Sequence, residues 1–168
     1  MAEKKDEKKE KKAYVFTSVV DIKSSSVKNQ NRSGTCWSFS ANTLLETELI
    51  RKGKGEIDLS EMFVVRYAYS QKAINTVRWH GSLNFGGGGA FHDVIWAFNT
   101  YGMVPEVAYS GLQYGEEKHV HGELDALLDG YVKTVIENPN KKLSPAWHQG
   151  FDGILDAYLG DIPEKFTY

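Results

Sequence analysis

The sequence contains a single cysteine, Cys36, within the stretch NQNRSGTCWSF that runs from Asn29 to Phe39. The turn-forming run Ser33-Gly34-Thr35 precedes this cysteine and Trp37 follows it. A lone cysteine can be a buried small hydrophobic residue, a metal ligand or a nucleophile. Each role needs different neighbours, so the surrounding residues must distinguish among the three.

The first two roles depend on burial and on further ligands. Cysteine is among the residues most often buried, so a buried free thiol is the default interpretation without other context. A metal site would need more ligands, yet the chain has no second cysteine and no His-x3-His pair. His119 and His121 would lie on alternate sides of an extended segment, which is poor geometry for one ion. We therefore expect neither a metal nor another cofactor.

The nucleophile role is favoured by the residues on both sides of Cys36. A turn containing Gly34 enters a helix there, and the unpaired N–H groups and positive dipole end of a helix N-terminus favour a thiolate. Gln30 lies six residues earlier, so its side-chain amide could fold back beside the sulfur. Together with the Cys36 backbone N–H, it would then stabilise an oxyanion. Trp37 could shield one side of such a site.

Helical periodicity defines the element that would position Cys36. We expect the chain's longest amphipathic helix to begin at Cys36 and to end near Gly53, which can cap it. Glu46 and Glu48 fall outside the apolar stripe and are expected to face water. The stripe consists of Trp37, Ala41, Leu44, Leu45 and Leu49.

Four further helices are predicted, and strand content is thin. Ser60 is a suitable N-cap for a helix over roughly residues 61 to 73. A third helix starts after four glycines and ends at Gly102. A fourth ends at Asn138-Pro139, and a fifth begins with Ser144 as N-cap and Pro145 at the first helical position. The segment AYVFTSVVDI, rich in Val, Tyr, Phe and Thr, predicts an extended conformation.

Composition excludes several classes of protein. The chain has 168 residues, 41% of them hydrophobic, and a net charge of -2, which gives no drive towards nucleic acid or an anionic membrane. No apolar stretch approaches the length of a membrane span, and no secretory signal is visible. One cysteine cannot form an internal disulfide, so we expect a reducing, cytoplasmic location. Residues 1-13 form a charged arm that we expect to be disordered.

The residues around Cys36 carry a specific family resemblance. The stretch VKNQNRSGTCWSFSANTLLE is similar to the active-site segment of papain-like cysteine peptidases. The resemblance implies that Cys36 is the nucleophile, that Gln30 binds the oxyanion and that Trp37 shields the site. Gly88-Gly89, thirteen residues before Tyr101-Gly102, resembles the glycine pair that binds substrate backbone in this family. A glycine edge suits that role because no Cβ separates it from an extended peptide.

The resemblance extends to one branch of the family, the bleomycin hydrolase and aminopeptidase C group. Secreted papain-like enzymes have a disulfide cysteine where this chain has Ser33. The helical region at about 115-160 is similar to that group's insertion, and YGMVPEVAYSG is also similar. The resemblance implies an aminopeptidase acting on peptides through an acyl-enzyme, and a homo-hexamer in the full-length protein. The resemblance covers 14-168.

A cysteine nucleophile needs a base, and the resemblance places the family's His and Asn far downstream. None of the five histidines matches the family's motif, so we expect the His and Asn to lie in a C-terminal half that completes the site. The fold class expected is therefore mainly α, the helical left half of a papain-like α+β fold with the barrel half absent. The histidines are His80, His92, His119, His121 and His148.

The alternative class is a non-catalytic helical domain that binds peptides or protein partners on a papain-like cleft. Such a domain would share the motif without a base. The two hypotheses differ in whether a second half with His and Asn exists, because only a completed site would turn over substrate.

Overall fold

The computed structural model describes residues 13-167, and these form a mainly helical domain, as predicted. Five helices follow one another, and a short 3-10 helix, Glu106–Ala108, lies between the third and fourth. Within residues 13-167 there is no strand, only two isolated bridges that join Arg32 to Val120 and Leu59 to Pro105. The helices are α1 (Cys36–Arg51), α2 (Glu61–Arg78), α3 (Phe91–Tyr101), α4 (Gly122–Ile136) and α5 (Ala146–Leu159).

The ends of the helices agree with their sequence signals in most cases. α1 begins at Cys36, and the Ser60 side chain caps α2 by accepting a hydrogen bond from the Phe63 N–H at 3.0 Å. α3 stops before Gly102, whose φ of 80° suits glycine. α5 starts one residue later than predicted, with Pro145 rather than Ser144 at the N-cap. The expectation that the Cys36 helix is the longest is wrong, because α1 has 16 residues and α2 has 18.

α2 is the central helix of the domain. It packs against each of α1, α3, α4 and α5, so it is surrounded rather than half exposed. Tyr69, Val64 and Val65 on this helix are almost completely buried. The helix is therefore buried on more than one face, and it extends beyond the predicted residue 73 to Arg78. Both the Cys36 helix and the glycine-rich segment before α3 are positioned against this core.

The segment before α1 is irregular. The stretch predicted to be extended, from residue 13 to residue 22, forms neither helix nor strand and exposes large apolar side chains. Tyr14 and Phe16 are each 88% exposed and Val19 is 92% exposed. An extended chain becomes a strand only when another strand pairs with it, and residues 13-167 supply none here. The predicted charged arm lies outside the described residues except for Ala13.

None of the helices within residues 13-167 combines the length and the apolar character needed to cross a bilayer.

Candidate active site

Cys36 is solvent-exposed and is the first residue of α1. The Thr35 carbonyl accepts hydrogen bonds from the N–H groups of Ser38 and Phe39, at 2.9 and 3.3 Å. In the described part of the chain, no protein group accepts the N–H of Cys36 or of Trp37. Unpaired N–H groups at a helix N-terminus attract negative charge. The position therefore suits both a thiolate and an oxyanion that forms beside it.

Gln30 lies in a compact turn, six residues before Cys36. The Gln30 side-chain Nε2 donates to the Ser33 carbonyl at 2.7 Å, and the Ser33 hydroxyl donates to the Gln30 carbonyl at 2.8 Å. Ser33 Oγ also lies 2.5 Å from Thr35 Oγ1. A primary amide has two N–H groups, so the second remains for another acceptor. This reciprocal pairing explains how a glutamine six residues away keeps one orientation.

A partly buried ion cluster attaches the start of this loop to the helices. Lys28 Nζ contacts Glu46 Oε1 at 2.5 Å and Glu61 Oε1 at 3.1 Å, and it also binds Asp58. Burial disfavours the Lys28 ammonium, but the hydrogen bonds that it donates to Asp58 and Glu46, together with the nearby charge of Glu61, hold the pKa of Lys28 above its ordinary value. The loop that carries Gln30 is therefore fixed at its N-terminal side by charge.

Glu46 does not face water, contrary to the sequence expectation. Its side chain is fully buried and accepts hydrogen bonds from the Ser25 hydroxyl at 2.6 Å and the Leu59 N–H at 2.8 Å, besides Lys28. A buried carboxylate is tolerable when several donors surround it. Glu48 does follow the expectation, since it is 40% exposed and pairs with Arg51.

Backbone hydrogen bonds with His119 and His121 also hold the turn before Cys36. The Arg32 N–H donates to the His119 carbonyl at 2.9 Å, and the His121 N–H donates to the Arg32 carbonyl at 3.1 Å. The rings of His119 and His121 are buried, with their centroids 5.7 Å apart, and the His119 ring lies 6.0 Å from that of Phe39. These two histidines therefore support the turn through the backbone.

Trp37 connects the cysteine turn to the glycine-rich loop. Its Nε1 donates to the Gly87 carbonyl at 3.0 Å, and the residue is only 6% exposed. A Cβ added at Gly89 would lie 2.5 Å from Trp37 Cε2, and one at Gly34 would lie 3.3 Å from the Gly87 carbonyl carbon. The approach at Gly89 leaves no space for a side chain. The fold thus brings the predicted residues Trp37 and Gly89 together, while Gly88 is exposed with open space around it.

The five histidines lie elsewhere. Across residues 13-167, no hydrogen bond or ion pair joins any of them to Cys36. His80 is exposed after α2, and His92 is exposed with its Nε2 3.4 Å from Asp93 Oδ1. His148 Nε2 lies 2.8 Å from Ser70 Oγ. The described residues therefore hold the candidate nucleophile without a paired imidazole.

The contact between Ser70, His148 and Asp152 contains the residue types of a hydrolytic triad, and no motif in the sequence predicts it. Asp152 Oδ2 lies 3.7 Å from Nε2 of His148, the same nitrogen that contacts Ser70. In a working triad, the carboxylate orients the imidazole through its other nitrogen. The group instead joins α2 to α5, beside the ion pairs of Arg66 with Asp152 and Asp156. Ser70 is 78 residues from His148 in sequence, so no local pattern could reveal the contact.

The domain is mainly helical, and its exposed cysteine lies at a helix N-terminus. A glutamine lies in the preceding turn, and a glycine loop packs on the tryptophan that follows the cysteine. This combination is of the papain type. The model of the papain family of cysteine proteases matches residues 17–143, which is most of the chain. The protein belongs to this family.

Comparison with solved structures supports the same fold. The crystal structure of PepW from Lactobacillus rhamnosis HN001 superposes with a TM-score of 0.64 and 21% sequence identity, over 89% of this chain. At that identity the likeness shows a shared fold. The chain spans 40% of the length of PepW. A comparison with curated proteins gives no match.

Proposed function

We propose that this domain carries the nucleophile of a cysteine peptidase that hydrolyses peptide bonds through an acyl-enzyme. One observation carries the proposal: Cys36 is exposed at the first residue of α1 and borders unpaired backbone N–H groups, within a chain of the papain family. The default interpretation for a lone cysteine is a buried thiol. The exposure of Cys36 contradicts that interpretation.

The residues would share the chemistry as follows. The Cys36 sulfur attacks the scissile carbonyl carbon, and the carbonyl oxygen becomes an oxyanion. The Cys36 N–H and the free N–H of the Gln30 amide donate to that oxyanion. Trp37 shields the site, and Gly88 and Gly89 bind the substrate backbone as an extended edge. The C–N bond then breaks, the amine leaves with a proton, and water hydrolyses the thioester.

The proton transfers in this scheme need an imidazole. A base must take the thiol proton and return it to the leaving amine, and a partner must orient that base. We propose that a His and an Asn come from a C-terminal half that packs against this domain. The support is the lack of an imidazole paired with Cys36 in the described residues and the 40% share of PepW that the chain covers.

The finer assignment is an aminopeptidase of the bleomycin hydrolase type. It rests on the resemblance of the helical region at about 115-160 to that group's insertion; α4 and α5 occupy this region. The same resemblance is the basis for proposing a cytoplasmic homo-hexamer in the full-length protein. The single cysteine supports a reducing compartment.

The experiment compares thiol reactivity with turnover. The chain alone should be alkylated by iodoacetamide at Cys36 and should hydrolyse no aminoacyl reporter, because no imidazole is paired with Cys36 in the described residues. Adding the C-terminal portion should produce hydrolysis, and Cys36→Ser should abolish it. Peptidase activity of the 168-residue chain alone, lost in Cys36→Ser, would contradict the need for a second half and require a base among the five histidines.

A second function is supported by the lack of an imidazole paired with Cys36 in residues 13-167. A non-catalytic domain could bind peptides on the same cleft without turnover. If the combined halves bind a peptide but never hydrolyse it, and if Cys36→Ser binds equally well, then the binding function is correct and the peptidase proposal is wrong.

A further inference from the structure

The glycine loop of residues 86-89 is held by side chains alone. No backbone–backbone hydrogen bond involves any of these four glycines in the described structure. Glycine loses more conformational freedom on folding than any other residue, so such a loop needs external contacts to keep one shape. The contacts come from α1 and α2. Trp37 Nε1 and Tyr69 Oη donate to the Gly87 carbonyl, at 3.0 and 3.4 Å.

Lys72 on α2 makes the remaining contacts with this loop. Its Nζ donates to the Gly86 carbonyl at 2.6 Å and also to the Gly88 carbonyl. One ammonium therefore bridges two carbonyls that lie on either side of Gly87. Hydrogen bonds from a charged donor are roughly twice as strong as neutral ones.

The surroundings of Lys72 favour this bridging role. The Lys72 side chain is partly buried, and its Nζ lies 5.7 Å from the centre of the Tyr69 ring. Burial lowers the pKa of Lys72, and the nearby carboxylates of Asp93 and Asp125 act against that effect. Dehydration of the ammonium makes its remaining acceptors, the glycine carbonyls, more important to it.

These donors bind the carbonyls of Gly86, Gly87 and Gly88, but none of them contacts the backbone of Gly89. Neither the N–H nor the carbonyl of Gly89 has a hydrogen-bond partner in the described residues. A free N–H and C=O on one residue are the groups with which an extended peptide pairs.

We propose that Lys72 is a positioning residue for peptide binding: by bridging Gly86 and Gly88, it holds the loop so that the Gly89 backbone can pair with the acyl-side backbone of a substrate. The inference rests on the proposed function, because it assumes that the cleft beside Cys36 accepts a peptide. Lys72 acts through the loop and makes no contact with the reacting atoms.

The test uses two alkylating agents on the chain. An N-capped dipeptidyl chloromethyl ketone needs the peptide groove, whereas iodoacetamide needs only the thiol. With the ketone, the Cys36 sulfur displaces chloride from carbon, and the thiol proton passes to solvent. For each thiol, we take the second-order rate constant for the ketone divided by that for iodoacetamide. The selectivity is this ratio for Cys36 divided by the same ratio for N-acetylcysteine, a thiol without a groove.

The wild-type chain should show a selectivity well above one. Lys72→Met should reduce it by about tenfold, since tenfold corresponds to the loss of roughly one charge-assisted hydrogen bond. Lys72→Arg should keep part of the selectivity, because a guanidinium can donate to two carbonyls. The matched control is Lys52→Met, an exposed lysine just after α1, which should keep the wild-type selectivity.

The outcomes separate the inference from the proposed function. A wild-type selectivity near one means that this domain binds no peptide beside Cys36 and overturns the role of Lys72, whereas the proposed function is decided by whether the combined halves hydrolyse the reporter. Wild-type selectivity retained in Lys72→Met overturns the role of Lys72 and leaves the function intact. If Lys72→Met and Lys72→Arg both lower the two rate constants in parallel, Lys72 only supports the fold, and the positioning role is also overturned.

Discussion

Glu46 is a fully buried carboxylate with three different donors, Lys28, Ser25 and the Leu59 N–H. Its removal would leave these donors with weaker partners inside the protein, which is more costly than the loss of an exposed charge. The residue therefore connects the loop before Cys36 to the end of the linker that leads into α2.

We predict that Glu46→Gln lowers the free energy of unfolding by about 3 kcal/mol, because the amide keeps the shape but loses the charge opposite Lys28. The measurement is urea denaturation followed by circular dichroism. The control is Glu48→Gln on the exposed side of the same helix, which should leave the midpoint nearly unchanged. Equal effects of both substitutions would contradict the importance of burial.

His121 is the second residue whose environment sets a property of the domain. Its side chain is fully buried, and neither ring nitrogen has a partner in the described residues. Burial, together with the neighbouring His119, lowers the pKa of His121 from its ordinary 6.5 to about 4. The unfolded chain therefore binds a proton at this residue more readily than the folded chain does.

The sign of the pH effect follows from that difference. Above pH 6.5 the imidazole is neutral in both states, so the full stability is present. Stability is lost as the pH falls from 6.5 towards 4, by up to about 3 kcal/mol from this residue. We predict that His121→Leu flattens the fall in the free energy of unfolding across this range, measured by urea denaturation at a series of pH values. His80→Gln at an exposed histidine is the control and should leave the wild-type slope.

At the scale of elements, the glycine loop and α1 are in direct contact at a single aromatic ring. The Trp37 indole lies where a Gly89 side chain would have to be, whereas Gly88 borders open space. Neither glycine has a positive φ, so the two positions differ in space and not in backbone strain.

We predict that Gly89→Ala lowers the free energy of unfolding by about 1–3 kcal/mol, because the loop must move away from the ring. Gly88→Ala is the matched control and should be neutral or slightly stabilising, since it reduces the entropy of the unfolded chain. Urea denaturation of both variants provides the measurement. A neutral Gly89→Ala would show that the loop does not rest on Trp37 in solution.

At the scale of the whole molecule, the segment before α1 exposes several large apolar side chains that are close together in the chain. Tyr14, Phe16 and Val19 are each at least 88% exposed on an unpaired backbone. Exposed apolar side chains combined with free backbone N–H and C=O groups promote association with another chain.

We predict that the chain self-associates in a concentration-dependent manner, and that the triple variant Tyr14→Ser, Phe16→Ser, Val19→Ser weakens this association by about tenfold or more. Sedimentation velocity over a range of concentrations measures it. Val107→Ser, an isolated exposed apolar residue at 86% exposure, is the control and should associate like the wild type. A chain that stays monomeric at every concentration would contradict the prediction.

The local signals in the sequence were sufficient for the helices and for the family. Ser60 predicts the start of α2 because a hydroxyl can accept an N–H two or three residues later, and Gly102 predicts a stop because it tolerates a positive φ. The residues from Val27 to Ala41 identified the papain-like motif directly. Each of these signals depends on residues that are close in the chain, where geometry is the same in any fold.

Tertiary structure alone decided which polar groups meet. Glu46 was expected to face water because helical periodicity places it outside the apolar stripe of α1. It is buried instead, where Lys28 and the Leu59 N–H donate hydrogen bonds to it. Lys72 reaches the glycine loop 14 and 16 residues later because α2 and the loop pack side by side. His148 meets Ser70 because α5 lies against α2. Such pairings depend on how helices pack in three dimensions, and sequence periodicity describes only the face that each helix buries.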